Sequence, residues 1–475
     1  MKTVAVIGAG FTGTLTALRL LASGARVVLI NRGHAMARGV AYGTHALEHV
    51  LNVPAGRMSA FDEDPGSFLR YVRTVDPSYD ASSFVPRRLY GDYLQSLLDS
   101  AHLSYPERFQ TRLDAVTRIE VDERRTRARL VLASGALLSA DRVVLALGNF
   151  SPADPPVPAS ARQFFVSPRY IRDPWQDGVL ESVDPDRPVL LIGTGLTMLD
   201  VALALVGRGQ RAPMHAISRR GLLPLAHRDA RNEPPPIHLP AGFLATPPTA
   251  RGWLRALRQL VASEQALGRD WRDVIGGLRS ATPAIWRQLP SNERRRFLRH
   301  LRALWDVHRH RCAPQLAAAL SGLIGDGLLQ VAAGRVREFD EQADGSVRVH
   351  WRRRGQTRSE TLEIATVINC TGPEGDTRVM NEPLIEQLRR DGLLCPDELG
   401  LGLQVDERYA LINRQGASSR VLHYVGPFLK AQDWEATAVP ELRQHATRLA
   451  TVLAPEPEPV MAQGPPDRRP GPPSP

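Results

Sequence analysis

Two short apolar strands, each running into a glycine turn and a helix start, lie about 185 residues apart in this 475-residue chain. The first is Val4-Ala5-Val6-Ile7-Gly8-Ala9-Gly10-Phe11-Thr12-Gly13. The second, Val189-Leu190-Leu191-Ile192-Gly193-Thr194-Gly195, continues into the apolar stretch Leu196 to Val206. Backbone N–H groups and the dipole at such a helix start can hold a pyrophosphate. One Gly-x-Gly-x-x-Gly alone arises often by chance. One at the beginning of the chain and a second in the middle imply two nucleotides meeting at a domain interface, which reads as flavin plus nicotinamide. Gly8, Gly10 and Gly13 are then expected on one dinucleotide, Gly193 and Gly195 on the other.

The length predicts two or more domains, each with its own core, and 43% hydrophobic with 23% charged residues is ordinary globular composition. No targeting segment is expected, since the first strand begins at residue 3. The apolar run Pro188 to Val206 carries Gly193, Gly195 and Asp200, so it reads as a buried strand turning into a helix and not as a membrane span. Cys312, Cys370 and Cys395 form no C-x-x-C pair and no metal-ligand spacing. A cytoplasmic, disulfide-free and metal-free protein is expected. The net charge of +10 reflects arginine clusters at Arg294-Arg295-Arg296, Arg299, Arg302, Arg309, Arg311 and Arg352-Arg353-Arg354. Such runs can bind nucleic acid. Here Phe297, Leu298, Leu301, Leu304 and Trp305 recur at helical spacing, which assigns most of those arginines to the solvated face of an amphipathic helix. Neither a nucleic-acid nor a membrane partner is expected, and the oligomeric state is left open.

The pattern predicts an α/β fold with two Rossmann-like dinucleotide-binding domains, β-meanders and a helical insertion. Residues 1–150 form the first part of an FAD-binding domain, 151–365 an NAD(P)-binding domain with its insertion at 250–325, 366–452 a return segment of the FAD domain, and 453–475 a disordered Pro-rich tail. Alternating stretches at Ala115–Val121 and Arg127–Leu132 lead to a buried strand ending at Gly148. Gly334–Phe339, Ser346–Trp351 and Thr361–Ile364 lead in the same way to Thr366–Cys370 and Gly372. Each half thus closes with a strand that delivers a glycine to the interface.

Other segments carry chemistry less directly. The acidic residue that usually accepts the adenosine ribose hydroxyls is expected at the end of the second strand, where Asn31 stands; an amide keeps a hydrogen bond but loses its charge assistance. The blocks Arg38 to Thr44, with Tyr42, and His49 to Ala55, with Asn52, lie where the chain could reach a bound flavin, or else form a packed Ω-type loop. Arg219 and Arg220 follow the strand after the second glycine loop, where arginines pair with a 2′-phosphate and select NADPH; the alternative is two solvated cations. His308 and His310 point to different faces of a helix and cannot share a metal. With Arg309 and Arg311 they form either a cation cluster at a helix C-terminus or a clamp for an anionic substrate. Trp434 to Arg443 reads as a loop entering a helix near Pro440, either simply capped or set against the flavin with Trp434 and Thr437 as contacts.

As a set, Gly39-Val40-Ala41-Tyr42, Leu51-Asn52-Val53-Pro54, Pro86 to Leu94, Ser218-Arg219-Arg220-Gly221-Leu222-Leu223-Pro224, Trp305 to Arg311 and Trp434 to Arg443 resemble a bacterial FAD/NAD(P)-binding flavoprotein family. That family includes amino-acid N-monooxygenases of the aspartate type. The resemblance spans all but the Pro-rich tail. It departs at Asn31 and at Val425-Gly426-Pro427, where related flavoproteins often carry Gly-Asp for the FAD ribitol and Gly426 is left to serve through its backbone.

The expectation that follows is an FAD- and NADPH-dependent monooxygenase that hydroxylates a nitrogen of a small amine or amino acid, with molecular oxygen as co-substrate. Asn52 is expected at the flavin, and Arg309 or Arg311 on the substrate. A flavin reductase or dehydrogenase without oxygen insertion, and a flavin-binding sensor without turnover, are the alternatives.

Overall fold

The computed structural model describes residues 1–33, 35–228 and 234–454, so the tail expected at 453–475 lies outside the described residues from 455 onward. Two sheets organise the chain. The first has six strands in the order Ala410–Ile412, Ser418–Tyr424, Arg142–Leu145, Thr3–Ile7, Arg26–Asn31 and Phe109–Leu113. All neighbours in it are parallel except the first pair. Parallel strands are covered on both faces, which is why Val4, Ala5 and Val6 form an unbroken apolar run and are fully buried. Helix Phe11–Ala22 covers one face and is itself covered by helix Val439–Leu453. Apart from this sheet stands the meander Val116–Val121, Ala128–Leu132 and Leu137–Ala140. Helix Pro383–Arg390 packs on it, the Gln387 amide accepting from the Ile119 N–H at 3.0 Å and donating to its carbonyl at 3.1 Å.

The second sheet has seven strands in the order Glu360–Ile364, Val347–Arg353, Leu329–Glu341, Met214–Ser218, Val189–Ile192, Thr366–Asn369 and Tyr170–Ile171. Leu329–Glu341 serves twice. Its first half pairs in parallel with Met214–Ser218 and its second half antiparallel with Val347–Arg353, so this meander is an extension of the nucleotide sheet itself.

Two expectations need correcting. Thr366–Asn369, read as the start of the return segment, pairs with Val189–Ile192 and Tyr170–Ile171. The chain therefore re-enters the first domain only after Asn369, beside the outgoing linker, where Phe150 bridges Glu374. The single amphipathic helix read through Phe297 to Trp305 is two helices, Ser291–His300 and Arg302–Arg309, bent at Leu301 while the Leu301 and Trp305 N–H groups keep their i−4 bonds. Between the strands Arg26–Asn31 and Phe109–Leu113 lie helices Ser67–Val75 and Arg87–Ser104, whose Phe68, Tyr90 and Tyr93 form one buried aromatic cluster.

Candidate functional site

Both glycine turns are built alike. Gly8 (φ +102°) donates its N–H to Ile30 O at 2.8 Å, and a Cβ there would stand 2.5 Å from the Ala146 carbonyl oxygen. A Cβ on Gly13 would stand 1.8 Å from Gly8 O, so the helix can pack on the strand only without one. Gly193 (φ +116°) repeats the arrangement, donating to Ile217 O at 2.8 Å with its Cβ direction 2.5 Å from Cys370 O. Helices Phe11–Ala22 and Leu196–Gly207 both begin at a glycine, Gly10 and Gly195, with no side-chain cap and no acidic residue in the first turn. Their N-terminal N–H groups are left for an anion.

The space beside them is open. A Cβ on Gly10 would meet only Gly39 Cα, at 3.7 Å, and at Gly148, Gly195 and Gly372 it would meet nothing within 4 Å. At Gly10, Gly148 and Gly195 no protein atom crowds a side chain, whereas Gly372 (φ +88°) is held to glycine by its backbone. Gly426 (φ +146°) closes the last strand of the first sheet; a Cβ there would sit 2.8 Å from the Tyr424 hydroxyl, which itself donates to Leu147 O.

Asn31 stands at the end of the second strand, as read from the sequence, but its amide is engaged inside the loops. Oδ1 accepts from the Ala9 N–H at 3.2 Å and Nδ2 donates to Ala35 O at 2.8 Å. Asn31 thus ties the glycine turn to the following loop. Tyr42 packs edge-on against Tyr90 at 4.6 Å, and burial raises its hydroxyl pKa above the ordinary range. The Arg38–Asp92 ion pair (2.6 Å) and Gly91, whose missing Cβ would lie 2.5 Å from Tyr42 O, seat this turn on helix Arg87–Ser104. The block Pro86 to Leu94 therefore acts through the Arg38–Gly43 turn.

The two domains meet at Asn52. Its carbonyl accepts from His227 Nε2 at 2.9 Å, and the His227 N–H donates to Cys312 O at 2.9 Å. Burial first, then the nearby Arg311, pushes the His227 imidazole down to about 3, so the ring is neutral near pH 7. Arg311 is 7% exposed and lies 5.8 Å over the Trp271 ring. A second cross-domain tie, the buried Arg87–Asp200 ion pair at 2.8 Å, is joined by His49 Nε2 at the Asp200 carbonyl.

Arg309 does not share the Arg311 site. Its guanidinium pairs at 2.9 Å with Glu435, a carboxylate 2% exposed that also accepts from Trp305 Nε1 at 3.0 Å. A buried acid already neutralises Arg309, which removes it from the substrate clamp expected of it. Trp434 is likewise taken up elsewhere, 4.6 Å from Trp286 and under the Lys430 ammonium in the helical insertion, and Thr437 is exposed. The conspicuous residues of both motifs hold the insertion to the first domain.

Around the second turn, Thr194 Oγ1 donates to Leu222 O at 2.6 Å and lies 2.8 Å from Ser218 Oγ, which accepts from the Gly221 N–H. Arg219 stands here with Arg220, Arg302 and Arg335 as neighbours. Burial and their repulsion lower its pKa, and it has no ion-pair partner among the described residues. Arg220 donates to His300 O at 2.6 Å.

His227 and Trp271 went unread in the sequence, and Asp200 and Glu435 were read only as members of their segments, without these pairings. Asp200 carried a signal, as the one acid in an apolar helix. His227 carried none, because its environment is supplied by residues 52, 84 and 311. Among the described residues no group of His, Cys, Asp and Glu is arranged to hold a metal, and no helix is long and apolar enough to cross a membrane.

Residues 5–150 match the model of a family described as FAD-NAD(P)-binding. No curated protein matches the chain. Among solved structures, L-lysine 6-monooxygenase from Pseudomonas syringae is similar at 17% identity over 95% of this chain and 98% of its own, with a TM-score of 0.64. The FAD-bound cadaverine monooxygenase of the desferrioxamine pathway of Erwinia amylovora gives 14% identity, 94% and 93% coverage and a TM-score of 0.63. Thioredoxin reductase from T. acidophilum gives 12%, 96% and 98%, and 0.52. The chain thus has the fold of two-domain dinucleotide-binding flavoenzymes, with an FAD/NAD(P)-binding segment at residues 5–150.

Proposed function

We propose that this protein is an FAD- and NADPH-dependent monooxygenase that hydroxylates the nitrogen of an amine. The carrying observation is the Asn52–His227 contact between the two nucleotide domains, with Arg311 beside it. When bound, FAD would supply oxygen-transfer chemistry with NADPH as the two-electron reductant, one atom of dioxygen ending on the nitrogen and the other in water. Gly8, Gly10, Gly13, Gly148 and Gly426 would hold the flavin nucleotide, Gly193, Gly195 and Gly372 the nicotinamide one.

The protein's own residues would set the state of the amine. The positive field of Arg311, with Arg57 and Arg272, helps keep His227 neutral. The same field disfavours an ammonium and so favours the neutral, nucleophilic amine. His227, donating from Nε2, fixes the Asn52 backbone and with it the Asn52 amide. Disulfide reduction is disfavoured, because all three cysteines are free and Cys312 and Cys370 are buried thiols whose pKa burial raises.

Asn52→Ala should retain FAD and anaerobic reduction by NADPH while hydrogen peroxide replaces hydroxylated product, since oxygen transfer needs local donors that reduction does not. Parallel peroxide and hydroxylamine assays read the ratio. An unchanged ratio removes Asn52 from the chemistry, and NADPH oxidation indifferent to every amine removes the monooxygenase reading.

Arg219→Ala with Arg220→Ala should weaken NADPH about tenfold to a hundredfold per lost contact and leave NADH nearly unchanged. Most of the loss is expected from Arg219, since Arg220 is already engaged with His300. Titration of the two nucleotides against each variant checks it, and equal losses would exclude a 2′-phosphate contact.

A further inference from the structure

The helical insertion encloses a cavity of about 730 Å³ that none of the cofactor contacts uses. Its walls are apolar and aromatic, with Trp253, Leu257, Ile285, Trp286 and Trp305 among them. A cleft of this size suits a ligand with a substantial hydrophobic body. A free ornithine or lysine has little apolar surface to offer it.

The two ends of the cavity differ. At one end Trp271 and His308 meet at 5.0 Å, and Arg272 at 4.4 Å and Arg311 at 5.8 Å lie over the Trp271 ring, Arg311 being one of the cations that lower the His227 imidazole. Trp271 thus links the cavity lining to the Arg311 and His227 neighbourhood. The other end follows helix Ala250–Ala266, whose Leu254, Leu257 and Val261 face the cavity. On the adjoining strip of the helix stand Arg251, Arg255 and Arg258, spaced i, i+4 and i+7 so that they share a face. All three are exposed, none has an ion-pair partner among the described residues, and Arg258 itself lines the cavity. Most other arginines of the insertion do have partners: Arg272, Arg279, Arg296 and Arg302 all face carboxylates.

We propose that this cavity binds the substrate of the monooxygenase as an amphipathic molecule: an amine at the Trp271 end, a long alkyl or aryl body along the cavity, and an anionic group on Arg251, Arg255 and Arg258. The inference rests on the function proposed above for its reacting end, and on the cavity and its arginine rim for the rest. It makes this chain selective for bulky amines, with the insertion as the specificity element.

The test uses the full-length holoenzyme and anilinonaphthalene sulfonate, a fluorescent probe with an apolar body and one negative charge. Dye displacement is measured with aminohexanoate, aminooctanoate and aminododecanoate, each bearing its amine at the chain terminus, and with ornithine. Displacement should tighten about tenfold for each pair of added methylenes, and ornithine should not compete. Hydroxylamine formed per NADPH should rise along the same series. Charge reversal of Arg251, Arg255 and Arg258 to Glu, on an exposed strip without ion pairs among the described residues, should abolish dye binding and the chain-length dependence while FAD content stays constant. Leu257→Asp should do the same from inside the cavity.

Ornithine and aminohexanoate coupling as well as aminododecanoate would overturn the proposal and leave the monooxygenase reading standing. So would a dimer, seen by sedimentation, that buries the cavity and excludes the dye. Length-dependent displacement without amine-stimulated NADPH oxidation would instead support the cavity's ligand class and refute the function proposed for the reacting end.

Discussion

Gly10→Glu is expected to yield a folded, colourless protein. Gly10 is the N-cap of helix Phe11–Ala22 and supplies no side-chain cap, and a Cβ there would touch only Gly39 Cα at 3.7 Å. The fold therefore tolerates a side chain, but a pyrophosphate bound at this turn would not. The added carboxylate would sit where the N–H groups await an anion, and like-charge apposition costs several kcal/mol, on the order of a thousandfold in affinity. Gly13→Val is the contrasting variant. With Gly8 O only 1.8 Å from its Cβ position, the helix cannot stay on the strand, and both colour and cooperative unfolding should be lost. Flavin absorbance and circular dichroism on the two variants separate the outcomes. If Gly10→Glu keeps its flavin, the first glycine turn is not the FAD site.

The Arg309–Glu435 pair should behave as a structural joint. Glu435 is 2% exposed and accepts from Trp305 Nε1 while pairing with Arg309. Removing one partner strands the other as a buried charge, so Glu435→Ala or Arg309→Ala should each cost about 3–5 kcal/mol in urea unfolding. Replacing both, as Arg309→Met with Glu435→Leu, should recover much of that loss, since an apolar pair of similar volume satisfies the same space. A substrate clamp predicts the opposite: unchanged unfolding for Arg309→Ala with a raised KM for an anionic amine.

These two cases show where the sequence was informative. The glycine turns are local objects. A strand must be apolar to be buried on both faces, a turn needs φ > 0 at Gly8 and Gly193, and a helix start needs room for an anion, so each requirement writes itself into adjacent residues. The same holds for the meanders, whose period of two is visible wherever one face is buried, and for the insertion at 250–325, whose helices carry their own apolar spacing.

The roles of the charged and aromatic side chains were decided elsewhere. Arg309 and Arg311 stand two residues apart and look equivalent in a basic run. What Arg309 pairs with depends on Glu435, more than a hundred residues later, and on the bend at Leu301. Asn31 could be read as a ribose ligand until the loop at Ala35 returned to take its amide, and Thr366–Asn369 could belong to either sheet until it paired with Val189–Ile192. His227 acquired its neutral state only from the residues packed around it. By itself the sequence determined the elements and their two nucleotide turns, because those follow from near neighbours and solvent. The tertiary structure alone decided partners, protonation and the apolar cavity beside the site, because burial and pairing are properties of segments that meet only on folding.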